Sequence, residues 1–229
     1  TGLGVARLFG LPWALGLLAG GSVAICGASA ALALSTLLGE KRTSQAQLTL
    51  VLVCVSAASA FAMSTYPILA GSLALSDRQA GFLIGASIHD VAQVVAAGMI
   101  FGPEAGDVAT VVKLFRVALL LPVVLFISIF FGTQKSSNKL GWGSLKLIPT
   151  FLLGFVALSI VASMKILPLV VTQQIGGLSR WMLVIAIAAA GLKTNFQELA
   201  KLGWQPVLML VVETLFIAFL GLIFIFYVA

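Results

Sequence analysis

Long, mostly apolar stretches fix the fold class of this chain before any motif is read. A helix that crosses a bilayer needs about 20 consecutive, mostly apolar residues. The sequence offers seven apolar stretches, near 11–38, 48–75, 80–101, 108–131, 147–167, 181–192 and 206–228. A water-soluble fold of 229 residues could not absorb them, because hydrophobic residues make up 61% of the chain and charged residues 9%, where soluble domains carry roughly 25% charge. The stretches are apolar on every side, which excludes a β-barrel, whose strands alternate apolar and polar residues. The sequence therefore predicts an all-α polytopic membrane protein in a lipid bilayer, with 1–229 forming a single transmembrane domain.

The net charge of +6 does not point to nucleic acid, because the Lys and Arg residues are scattered singly or in pairs between the apolar runs. That pattern carries membrane topology rather than a basic groove. For seven crossings, Arg7, Arg78, Lys135, Lys139, Lys146, Lys193 and Lys201 collect on one side, and Lys41, Arg42, Lys165 and Arg180 on the other. Lys113 and Arg116 join the second group if they count as loop, so the bias is small; the 133–146 loop is assigned to the cytoplasm, and a re-entrant segment would change the count. Cys26 and Cys54 lie inside apolar runs, so no disulfide framework is readable. No charged region with a cleavage site precedes the first run, so it does not read as a signal peptide.

Polar residues inside lipid-spanning helices are costly, and each marks a candidate site. The third stretch places Ser87, His89, Asp90 and Gln93 near its middle. On a continuous helix, Gly81, Gly85, His89, Gln93 and Ala97 form one stripe, small at one end and polar at its centre, that would let another helix pack closely. The first stretch reads GGSVAICGASAALA, and a break at Gly27 would free the N–H groups that open a second half-helix. Such a terminus attracts anions, and discontinuous helices near the midplane are how many transporters bind substrate. A continuous helix with a small-residue packing face is an equal alternative; Ser22, Cys26 and Ser29 line this segment. Gly-Ala-Ser recurs at 27–29 and 85–87, an echo too short to prove a repeat.

The fourth stretch begins with Lys113 and Arg116 on one helical face, and Pro122 should kink it. Lys113 is expected to reach the interface along its own stem. Arg116 has less freedom, and its expected partners are Asp90, Glu104, Asp107 or a bound anion. Glu213, in the last stretch, could pair with a cation, carry a proton or sit at a homo-oligomer contact. Lys193, Thr194 and Asn195 look like an interfacial helix end.

Enzyme readings fail on geometry. Ser87, His89 and Asp90 are too close in sequence to orient one another as a triad does on a helix. The chain has no G-x-S-x-G elbow, no H-E-x-x-H and no phosphate-binding loop. One His with one Cys is a thin supply of metal ligands, so neither a metal nor a cofactor is expected.

At GASIHDVAQVVAAG, with AICGASAALA upstream and GLKTNFQELAKLGWQP near the end, the chain resembles the YeiH-type family of bacterial inner-membrane proteins, described as sulfate exporters. The resemblance covers almost the whole chain but only the C-terminal two-thirds of a family member. It implies a multi-pass inner-membrane protein, a secondary exporter or exchanger of a small anion such as sulfate or a sulfonate, and by analogy an inverted-repeat architecture. The segments that carry over by position are Cys26 to Ser29, Gly85 to Gln93, and KLFRVALLLP with Lys113 and Arg116. The titratable pair His89 and Asp90 makes proton coupling an expectation. Two alternatives stand beside it: a seven-helix sensor or assembly subunit without a transport cycle, and a Na⁺-coupled carrier of organic solutes using Asp90.

Overall fold

The computed structural model describes residues 1–131 and 202–227, with isolated positions between 157 and 185. The 133–146 loop, most of the stretches 147–167 and 181–192, and Lys193 to Asn195 lie outside the described residues. Within them all regular structure is helical: α1 (Gly2–Leu8), α2 (Trp13–Ala24), α3 (Ala28–Leu38), α4 (Gln45–Ser72), α5 (Asp77–Ser87), α6 (Val91–Phe101), α7 (Pro103–Ala118), α8 (Leu120–Phe131) and α9 (Gln205–Tyr227).

Local chemistry sets the boundaries. Ser44 and Ser76 each open a helix through a capping box, with Gln47 and Gln79 answering three residues on. The ring of Pro122 faces the carbonyl of the residue four before it, Ala118, and α7 ends there. The axis bends rather than stops, and Pro103–Ile127 continues as one apolar helix of 25 residues. With α4 and α9 it makes three described helices long and apolar enough to cross a membrane.

The first and third predicted stretches do something else. Each breaks in the middle, at Ile25–Gly27 and at Ile88–Asp90, and each doubles back. On the third stretch, a Cβ on Gly81 would come 2.6 Å from the Ala105 carbonyl oxygen, and one on Gly98 would come 2.7 Å from Gly106 Cα. The start of α5 and the end of α6 thus meet the same turn of α7, which a straight continuation would forbid. Gly102 lies against the Asp77 carboxylate, and Arg78 Nε donates to Glu104 Oε1 at 2.8 Å, closing the two ends. On the first stretch, Gly21 of α2 packs on the Leu34 side chain of α3. Both stretches are re-entrant helical hairpins, so the expectation of seven crossings is corrected: neither hairpin crosses. The stripe from Gly81 to Ala97 is corrected as well. Its glycine half packs on α7 as expected, but His89 lies in the break and Gln93 beyond it.

The hairpins enter from opposite faces. Ala33 shares a core cluster with Val124 of α8, whereas Ile84 and Ala97 share one with Ala109 of α7. The α2–α3 hairpin therefore lies along one half of the α7–α8 span and α5–α6 along the other. Arms of 11 or 12 residues are about 17 Å long, roughly half of a 30 Å hydrocarbon core, a length that suits tips meeting near the midplane. Hairpin plus span recurs, first over 13–72 and then over 77–127 with the direction reversed. This is an inverted pair. The Gly-Ala-Ser echo does not mark it, because that tripeptide follows the first break and precedes the second.

Topology changes accordingly. Arg7, Lys41 and Arg42 lie on the face where α4 starts and α8 ends, and Arg42 stacks on Trp13 there, 5.6 Å from the ring centroid. The opposite face carries Arg78 among Asp77, Glu104 and Asp107. Basic residues mark the cytoplasmic side. In a variant lacking Cys26 and Cys54, a membrane-impermeant maleimide should label Arg78→Cys in intact cells and Lys41→Cys only after permeabilisation. The reverse pattern would refute this orientation.

Candidate functional site

The two tips meet. A Cβ on Gly27 would lie 2.9 Å from Val55 Cγ1 and 3.3 Å from His89 Cβ, so the breaks touch each other against α4. Gly27 has φ +63° and ψ −114°, a conformation that glycine adopts freely and other residues adopt only with strain. The middle of each long span supplies what the broken backbone lacks. On α4, Ser59 Oγ accepts from the N–H of His89 at 3.3 Å and of Asp90 at 3.1 Å. On α7, Lys113 Nζ donates to the carbonyls of Ile25 at 2.8 Å and Ile88 at 3.0 Å. Arg116 donates from Nε to Ala24 at 3.1 Å, from Nη2 to Val23 at 2.7 Å, and from Nη1 to Gly85 and Ile88 at 3.1 and 3.2 Å. On α9, Thr214 Oγ1 lies 3.1 Å from His89 Nε2.

Two sequence expectations are corrected here. Lys113 does not reach the interface; it is wholly buried. Arg116 takes none of the acidic partners foreseen for it among the described residues, and Glu104 is held by Arg78 instead. Both cations bind the last carbonyls of α2 and α5, where a helix leaves its acceptors unsatisfied and its dipole negative. Ser59 and Thr214 were not foreseen.

The other candidates divide between two faces of the junction. Ser22 and Ser87 are buried, and each hydroxyl donates to its own helix, to Leu18 and Leu83. Cys26 is buried beside them at the tip. Ser29 is exposed, and Asp90 and Gln93 are half-buried. Asp90 is committed as the cap of α6, its Oδ1 accepting from Ala92 N at 2.8 Å and Gln93 N at 3.1 Å. His89 Nδ1 and Gln93 Oε1 have no partner among the described residues. The start of α3 differs from that of α6: Gly27, its cap, has no side chain to offer, and no side-chain cap is made. Glu213 is buried one residue before Thr214 and lies apart from the cations. No group of three metal-binding side chains occurs among the described residues.

Two opposed re-entrant hairpins, tips joined at the midplane and tied by buried cations of a crossing helix, define a multi-pass membrane protein with a polar junction inside the bilayer. Residues 2–210 match the family described as Conserved hypothetical protein 698, and the chain belongs to that family, the one to which the GASIHDVAQ run pointed. It is similar to the UPF0324 membrane protein TauZ of Paracoccus denitrificans, at 43% identity over 94% of this chain and 64% of that protein. It is similar also to the UPF0324 membrane protein CT0845 of Chlorobaculum tepidum, at 41% identity over 96% and 62%, and to a UPF0324 membrane protein of Bacillus cereus, at 33% over 97% and 65%. The chain thus spans less than two thirds of the length of these relatives. No solved structure matches it.

Proposed function

We propose that the protein is a secondary transporter of a small anion, of the sulfate or sulfonate type, which docks at the start of α3. One observation carries this reading: the uncapped start of α3 beside two buried cations. Arg116 brings a whole positive charge beside Lys113, while the ends of α2 and α5 bring about half a negative charge each. Asp90 is matched to the start of α6. The start of α3 has no cap from Gly27 and meets the Cys26 thiol at Ala30 N–H and at the Ser29 hydroxyl; with the positive field around it, this setting suits an oxyanion. The same commitment of Asp90 weighs against its use as a Na⁺ ligand.

Ser29→Asp separates this from a purely structural role. A carboxylate there occupies the position of the anion and suits the helix dipole, so stability should hold or rise by about 0.5 kcal/mol. Uptake of radiolabelled sulfate into proteoliposomes of the intact protein should nevertheless fall at least about tenfold, the effect of some 1.4 kcal/mol of lost binding. Unchanged saturable uptake would remove the site. A second reading, a sensor or assembly subunit, draws on the near-complete burial of His89, Lys113 and Arg116, with 1%, 0% and 9% exposure. Such a sealed network needs no transport cycle, and wild-type vesicles without sulfate uptake would favour it.

A further inference from the structure

The junction leaves one buried acidic side chain without a task. Glu213 lies near the middle of α9, is 3% exposed, and among the described residues neither carboxyl oxygen has a hydrogen-bond partner. Its Oε1 faces the close approach of α1 and α2, where a Cβ on Gly2 would lie 3.2 Å away and one on Gly20 3.7 Å away. The next residue, Thr214, holds His89 Nε2, so one turn of α9 touches both the carboxyl and a hairpin tip.

We infer that Glu213 is the proton-binding residue that couples transport to a pH gradient, its side chain carrying a proton while the junction is closed as described. The inference rests on the transport reading. An ionised carboxylate with no donor in a lipid-embedded bundle is the costliest form this side chain can take, and a bound proton removes the charge. When the junction opens to one face, water reaches the carboxyl and the proton leaves as a hydrated ion; closure follows uptake of a proton from the other face. A metal cation is a poorer occupant, because hard cations need about six oxygen ligands and this carboxyl supplies two.

Among the described residues, the elements packed on α9 bring few other titratable groups. Arg7 lies at the far end of α1 and α2 has none; Cys54 and Tyr66 lie on α4, and Asp77 and Arg78 at the distant start of α5. His89 faces the neighbouring Thr214.

Infrared difference spectra and vesicle transport test the inference on the intact protein. At neutral pH the wild type should show a protonated-carboxyl C=O band that disappears in Glu213→Gln and persists in Glu213→Asp. A band unchanged in Glu213→Gln, or an ionised Glu213, would overturn the inference. In proteoliposomes, each coupled proton should sustain about a tenfold accumulation of sulfate per pH unit. Glu213→Gln should lose that accumulation yet keep sulfate counterflow, and Glu213→Asp should keep both. Accumulation retained by Glu213→Gln overturns the coupling, whereas wild-type vesicles that take up no sulfate overturn the transport reading itself.

Discussion

Arg116→Ala should abolish sulfate uptake and lower the stability of the folded protein by about 5 kcal/mol. The magnitude follows from the carbonyls it abandons. Ile88 keeps Lys113, but Val23, Ala24 and Gly85 lose the guanidinium that serves them, and each buried carbonyl left unpaired costs roughly 1–3 kcal/mol. Arg116→Lys should recover only part of the loss, because an ammonium has three donors on one atom and cannot reproduce a planar fork that reaches both helix ends. Unfolding in detergent micelles and vesicle uptake measure the two effects separately. An unshifted melting transition in Arg116→Ala would show that the carbonyl ties carry little stability.

The second large effect is expected at Gly27. Gly27→Val should destabilise the protein by about 4 kcal/mol, from backbone strain of roughly 1–3 kcal/mol and overpacking of similar size. Its Cβ would press on Val55 Cγ1 and His89 Cβ, separating the tips. The two contributions can be resolved. Adding Val55→Ala should relieve the steric part while leaving the strain at φ +63°, so the double variant should recover about half the loss and still transport poorly. Full recovery by Val55→Ala alone would mean that the left-handed backbone at Gly27 is dispensable.

Several parts of the junction were visible in the sequence for definite reasons. Glycine beside small residues in an apolar stretch marks a weak point in a helix, and of the two alternatives left open there, a break at Gly27 and a continuous helix, the break is found. His89, Asp90 and Gln93 were conspicuous because polar groups are expensive in lipid. Ser59 carried no such signal. Hydroxyl residues in apolar helices commonly bond their own turn, as Thr36, Ser64 and Thr65 do here. Nothing in the sequence separates Ser59 from these, because its partners arrive from another hairpin some 30 residues away. Lys113 was misplaced for a related reason: near the start of the apolar stretch read from 108, a lysine normally finds water, and only the two tips bring carbonyls to it.

The class of the protein needed no structure. Lipid accepts a backbone only when its hydrogen bonds are satisfied within the segment, so mostly apolar stretches of this length have helix as their local solution. Whether a stretch crosses or returns is a different matter, because a broken helix of two short arms has the same composition either way. That choice belongs to distant contacts: Gly81, Gly85 and Gly98 let α5 and α6 lie together on α7, and Lys113 and Arg116 neutralise the carbonyl ends that the breaks expose. Local hydropathy thus determined that the chain is helical and membrane-embedded. Only packing between helices far apart in sequence decided that two of its stretches turn back at the midplane.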